Sequence, residues 1–305
     1  MGRYILRRLA LVPVTFVLLA AVVFAGLRLT ADPVELFMDI HATDAQREVL
    51  FRELNLDKPL PVQFLLFLAD VLRGNFGKSH VFNDLALPLV LERLGPTLML
   101  AGTALSLAVL LGGLLGMVCA VRRDGLLDFS VSAVALAGQS MPSFWLGILL
   151  IQLFALHLGW LPTSGFGDPG HLVLPAITLA TFIMPNFILM MRTSVLETLG
   201  EQFVTTARAK GVPESTILFR HALPNAITPV LTLLGLEFGV LIGGSIITET
   251  IFAWPGVGRL IISSIFQRDV PMVMAGVFVM SMAIVVANLA VDVILTFIDP
   301  RIKAE

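Results

Sequence analysis

Six long apolar runs decide what this chain can fold into: Leu9–Leu29, Thr97–Val121, Val131–Leu156, Leu172–Met191, Ile227–Ile247 and Met272–Ile298. A hydrocarbon core about 30 Å thick is spanned by roughly 20 apolar residues in a helix. In lipid, only helices and closed barrels satisfy their own backbone hydrogen bonds. The alternating pattern of barrel strands is missing, so the expectation is an all-α membrane protein with six transmembrane helices. Composition agrees: 57% of the 305 residues are hydrophobic and 14% charged, against about 25% charged in soluble domains.

The net charge of −2 gives no case for nucleic-acid binding. The single cysteine, Cys119, excludes an internal disulfide and, inside an apolar run, suits packing. Arg3, Arg7 and Arg8 precede the first run as in a signal peptide. That run is too long for a signal core and no small-residue cleavage site follows, so a retained anchor is expected.

Orientation follows from Lys and Arg in short loops. With the N-terminus inside, the inner side holds Arg3, Arg7, Arg8, Arg122, Arg123, Arg192, Arg208, Lys210, Arg220, Arg301 and Lys303, while the short loop from His157 to His171 has neither residue type. Both termini are expected to be cytoplasmic. The domains expected are a first helix (1–29), an extracytoplasmic segment (30–96), a five-helix core (97–298) carrying a cytoplasmic loop at 199–225, and a tail (299–305). The outer segment reads as helices near Ala45–Leu54 and Val62–Leu72 joined by the Pro-punctuated turn "LDKPLPVQ". It serves either as a solvated cap or as a docking surface for an extracytoplasmic partner.

"RGNFGKSH", Arg73–His80, has the look of a phosphate-binding loop. The pattern G-x-x-x-x-G-K-[ST] needs glycine five positions before Gly77, where Leu72 stands. The segment also falls outside, away from cytosolic ATP. Prolines inside the runs (Pro13, Pro142, Pro175, Pro185, Pro229) suit a bundle that changes shape, since neighbouring helices re-satisfy the freed backbone groups.

The most informative inner segment is Leu199–Asn225, "LGEQFVTTARAKGVPESTILFRHALPN". It reads as two short helices separated at Gly211, with Pro213 in the first turn of the second and Glu214 complementing its dipole. Phe203, Ala207, Ile217, Leu218 and Leu223 alternate with Arg208, Lys210, Arg220 and His221. A polar connector needs no such apolar set. A helix pair covered by a partner does, and one lying on the membrane interface is the other reading.

This segment resembles the EAA loop of binding-protein-dependent ABC importer permeases, E-A-A-x-x-x-G followed by I-x-L-P. Aligned on Gly211, the chain has Thr205-Thr206-Ala207 in place of E-A-A, His221 at the I position, and Leu223-Pro224 closing the pattern. "TARAKG" with "RHALPNA" is the version of the peptide/nickel branch, the dipeptide and oligopeptide permeases of the DppB/OppB type. "MGRYILRRL", "ELNLDKPLPVQ", "LRGNFGKS", "TETIFAWPGVGRL", "RDVP", "ANLAVD" and "DPRIKAE" resemble that branch in order along the whole chain. "LTADP" departs from its A-P-G-D-P.

The resemblance implies a type I ABC importer permease fold and uptake of di- or oligopeptides, or of nickel, glutathione or another small solute by the same machinery. It implies a second permease subunit, two ATPase subunits carrying ATP and Mg, an extracytoplasmic binding protein, and a place in a bacterial inner membrane. It implies no catalytic residue, cofactor or metal on this chain. Thr205, Thr206, Ala207, Arg208, Ala209, Lys210, Gly211, Arg220, His221, Leu223 and Pro224 would couple to the ATPases, with Arg208 and Lys210 meeting acidic groups there.

Polar residues inside the runs are costly and tend to face a bundle interior or wet cavity. Gln139, Ser140, Asn186 and Glu237 are candidates for the pathway, with a structural hydrogen bond the other role open to Glu237. Asn288 and Asp292 read as a structural pair. Glu249, Trp254, Pro255 and Gly256 belong to a re-entrant or interfacial outer segment, either a gate touching the binding protein or, for Glu249, a cap on its own loop. His157 and His171 lack a third ligand and make a poor metal site. No hydrolase motif appears. A channel or secondary transporter fits the spans but leaves the inner helix pair unexplained.

Overall fold

The computed structural model of the chain describes residues 2–30, 48, 51 and 56–298. The expected helix near Ala45–Leu54, most of "LTADP" and the tail 299–305 lie outside the described residues. Within them the chain is helical, with a lone antiparallel bridge between Lys78 and Leu85. In order come α1 (Gly2–Thr30), α2 (Leu60–Leu72), α3 (Ala86–Val121), α4 (Leu126–Ser140) and α5 (Ser143–His157). Then follow α6 (Gly170–Leu199), α7 (Gln202–Ala209), α8 (Glu214–Ile251), α9 (Val257–Phe266) and α10 (Val270–Ile298).

Among the described residues, five helices are long and apolar enough to cross a membrane: α1 through Arg8–Gly26, α3, α6, α8 and α10. The third expected span is not one helix. It is α4 and α5, bent by 105° at a short break. Pro142 explains the break, because it drives the preceding residue out of the helical region. Met141 accordingly stands extended, at φ −80° and ψ 135°. Counted as one broken span, the pair brings the total to six. Pro175 and Pro185 sit inside α6, and Pro229 inside α8, without ending either helix.

The chain packs as two units, 1–96 with 255–285 and 97–254 with 286–305. In the first, rings set the packing: Phe16 and Phe76 lie 5.0 and 5.3 Å from Phe278, and Phe24 lies 5.6 Å from Phe64. In the second, α3 crosses α6 closely on Gly112 and Gly116. A Cβ on Gly112 would stand 2.8 Å from Phe187 Cβ, and one on Gly116 would run into the Ile188 carbonyl. Small residues four apart let membrane helices approach backbone to backbone.

Candidate functional site

The segment between α6 and α8 is built around Gly211. The Gly211 N–H donates to Arg208 O (2.9 Å) and the Val212 N–H to Ala207 O (3.2 Å). That is the paired closure of a helix end whose next residue is left-handed, and Gly211 has φ +76°. Pro213 caps the following helix at φ −58° and ψ 141°, one position before the first turn expected for it. The second helix is not a separate short one. It runs on as α8, through a π-helical turn at Ile217–Ala222. The wider turn accommodates Pro224, which lacks an N–H and would clash with the carbonyl four residues back. Leu223 and Pro224 therefore lie inside a continuous helix rather than closing the loop. At 38 residues α8 is about 57 Å long, well beyond a hydrocarbon core of about 30 Å.

The apolar residues of this segment divide into two sets. Val204, Ile217 and Ala222 are fully buried and tie it to its own helices. Phe203 and Phe219 are 44% and 57% exposed. Thr205, Thr206, Ala209, Lys210, Gly211, Arg220 and Pro224 are exposed beside them, and Ala207, His221 and Leu223 half-buried. The sequence reading placed Ile217 among the offered residues and missed Phe219. Arg208 is engaged within the segment: its Nε and Nη2 donate to Glu214 Oε1 and Oε2 at 2.7 and 3.2 Å. The Glu214 carboxylate holds the Arg208 guanidinium above its usual pKa. Lys210 and Arg220 form no such pair among the described residues. Two exposed rings, small residues and two cations form a surface suited to a protein partner.

A second cluster lies among the spans. Gln139 Nε2 donates to Asn186 Oδ1 (3.3 Å), and Asn186 Nδ2 donates to Glu237 Oε1 (2.7 Å). This chain of bonds links α4, α6 and α8. Glu237 is 8% exposed. Ser140 does not join it: its hydroxyl donates to Leu136 O at 2.8 Å, one turn back. Asn288 is exposed.

Sequence reasoning missed a third arrangement. Arg192 Nε and Nη2 donate to Asp128 Oδ1 and Oδ2, each at 2.7 Å, pinning α4 to α6. Asp128 Oδ2 also accepts from the Asp124 N–H at 3.1 Å. The available signal was a lone acidic residue opening a helix and a lone basic one ending a span.

Glu249 is fully buried. Its Oε1 accepts from Thr97 (2.8 Å) and Ser245 (3.1 Å), and its carbonyl from the Trp254 N–H (2.8 Å). Trp254 is 1% exposed and meets Phe166 edge-on at 4.9 Å. Gly256 is buried and Pro255 half-buried. The geometry favours a structural role for Glu249, holding the end of its own helix. His157 Nδ1 donates to Gln152 O at 2.8 Å. Among the described residues no three His, Cys, Asp or Glu side chains gather as metal ligands.

"RGNFGKSH" ends a helix instead of opening one. Gly74 (φ +73°) follows the last turn of α2, with Asn75 N–H donating to Asp70 O at 2.9 Å. Ser79 then hydrogen-bonds the buried Asp269 carboxylate.

Residues 112–304 match the family of binding-protein-dependent transport system inner membrane components. The chain belongs to that family. It is an ABC importer permease, a multi-pass protein of the inner membrane, in a family that works with an ATPase and a binding protein. It is 41% identical over 306 residues to the glutathione transport system permease protein GsiC of Salmonella paratyphi A, covering 99% of each chain. It is 39% identical over 300 residues to GsiC of Pectobacterium atrosepticum, covering 98% of each. A Brucella suis biovar 1 protein that bears a peptide permease's name is 38% identical over 317 residues, covering 99% of each. In fold the permease is similar to the MetNI methionine ABC transporter in an inward-facing conformation. The TM-score is 0.59 at 19% identity, over 69% of this chain and 96% of that one. An amino acid ABC transporter crystallised with histidines gives 0.53 at 21% identity, over 70% and 94%.

Proposed function

We propose that this permease imports small peptides, glutathione among them, handed over by an extracytoplasmic binding protein. The observation that carries the substrate class is likeness along the whole chain to relatives whose names are those of peptide and glutathione permeases. Glutathione is itself a tripeptide, so the two names converge on one chemistry. In this reading both termini are cytoplasmic. The chain pairs with a second, different permease subunit, and ATP and Mg are bound by two ATPase subunits while this chain catalyses nothing itself.

The coupling surface is the face carrying Phe203, Thr205, Thr206, Lys210, Gly211, Phe219 and Arg220. An ATPase shifts the permease between states only through contacts that differ between those states, and two exposed rings next to a left-handed turn offer a rigid grip. Gln139, Asn186 and Glu237 line the pathway. Glu237 keeps one oxygen occupied by Asn186, and the other would meet the ammonium end of a peptide.

The test is uptake by proteoliposomes holding the assembled transporter and its binding protein. Labelled di- and tripeptides and glutathione should accumulate only with ATP inside the compartment facing the 202–224 surface. Accumulation of nickel chelates or single amino acids, with peptides excluded, would overturn the substrate class.

A further inference from the structure

The turn after α9 is closed by a residue that glycine usually supplies. The Arg268 N–H donates to Ile265 O (3.1 Å) and the Asp269 N–H to Ser264 O (2.9 Å), with Arg268 left-handed at φ +55°. An L-residue with a side chain is disfavoured there, and such outliers point toward a use for the side chain. The neighbouring Asp269 gives no such use. It is fully buried and takes hydrogen bonds from Ser79 and from the Val81 N–H at 3.3 Å. Arg268 itself is exposed, with no ion pair among the described residues.

Arg268 stands at the wall of an apolar cavity of about 430 Å³, within the range of small-molecule pockets, roughly 300–1,000 Å³. One side of the cavity is Val22, Val23 and Gly26 of α1, and the other is Val273, Met274 and Val277 of α10. Gly26 leaves it open, since a Cβ there would meet nothing within 4 Å. The lining is otherwise apolar apart from Ser264, which is 1% exposed. The cavity lies where the α1 span ends and the α10 span begins, at Gly26 and Val270. From Val270 to Val277 the lining runs about 10 Å along α10. A cation at the polar boundary and an apolar trough reaching toward the hydrocarbon match a lipid phosphate and an acyl chain.

We propose that this cavity is a phospholipid site, with the phosphate on Arg268 and one acyl chain between α1 and α10. The occupant is lipid because this surface belongs to membrane-spanning helices, whose surrounding solvent is the bilayer.

The test uses the assembled transporter in nanodiscs, with phosphatidylglycerol or phosphatidylcholine carrying a photoreactive group midway along one acyl chain. After irradiation, labelled residues are mapped by mass spectrometry. Labelling should concentrate on 22–26 and 270–277. It should favour the anionic lipid about fivefold, the factor one arginine supplies near a membrane surface. Arg268→Asn keeps a residue that tolerates the left-handed turn and should erase the headgroup preference while leaving the label in place. Gly26→Leu should fill the trough and remove most of the label. Should that variant fail to assemble, the Arg268→Asn comparison still decides. Equal labelling of Leu110, an exposed span residue, would overturn the proposal. So would absence of label because a second permease subunit fills the cavity.

Discussion

At the scale of single residues, the account turns on Gly211 and Glu237. Gly211 has room for a side chain but not the backbone for one: nothing lies within 4 Å of its Cβ position, yet φ is +76°. Gly211→Trp should therefore cost about 1–2 kcal/mol locally, leave the bundle folded, and cut transport at least tenfold by deforming the turn. Gly211→Asn, which tolerates the left-handed region, should keep most of it. Transport assays on matched amounts of folded complex check both, and full transport by Gly211→Trp would show that this turn does not couple. Glu237→Gln keeps the shape and an acceptor for Asn186 but removes the charge. It should raise the KM for peptide uptake several-fold while basal ATP hydrolysis stays unchanged. An unaltered KM would return Glu237 to a purely structural role.

At the scale of elements, what the sequence disclosed follows the strength of each physical signal. Runs of apolar residues marked every span because burial in lipid is enforced along a whole helix. The break at Pro142 was visible as a proline but not as a bend, since Pro175, Pro185 and Pro229 are equally visible and bend no helix to an end. Whether a proline breaks a span depends on what neighbours supply, and that is tertiary information. Gln139, Asn186 and Glu237 were each legible as costly intramembrane groups, but their joining was not. Phe219 was lost because the π-helical turn at Ile217–Ala222 rotates the helix face by an amount no 3.6-residue pattern reveals. The Asp128–Arg192 clamp bridges residues 64 apart in sequence, beyond any local pattern.

That clamp has measurable consequences. Asp128→Asn should destabilise the protein by about 3 kcal/mol, the low end for breaking one side of a buried pair, because Arg192 keeps 26% of its side chain exposed. Thermal unfolding in detergent reads the loss. An unchanged midpoint would mean that the pair contributes nothing net. Gly116→Leu should do more harm than Gly113→Leu, since Gly113 has only a Met191 methyl at 3.5 Å whereas Gly116 faces backbone.

At the scale of the whole molecule, orientation is open to a direct check. Cys119 is the only cysteine and is buried, so a Cys119→Ala background allows single reporters. A cysteine replacing Trp160, 70% exposed, should react with an impermeant maleimide on intact cells. One replacing Phe219 should react only after the membrane is opened. The reverse pattern would invert the topology.

The central claim is that an ATPase grips the surface carrying Phe203 and Phe219 and thereby drives transport. The measurement that tests it most directly is ATP-driven uptake and subunit retention by the Phe203→Ala, Phe219→Ala double variant, co-expressed with the rest of the transporter. The account predicts a folded permease that loses its ATPase subunits on purification and transports at least tenfold less. A variant that keeps its ATPase and transports normally would contradict it.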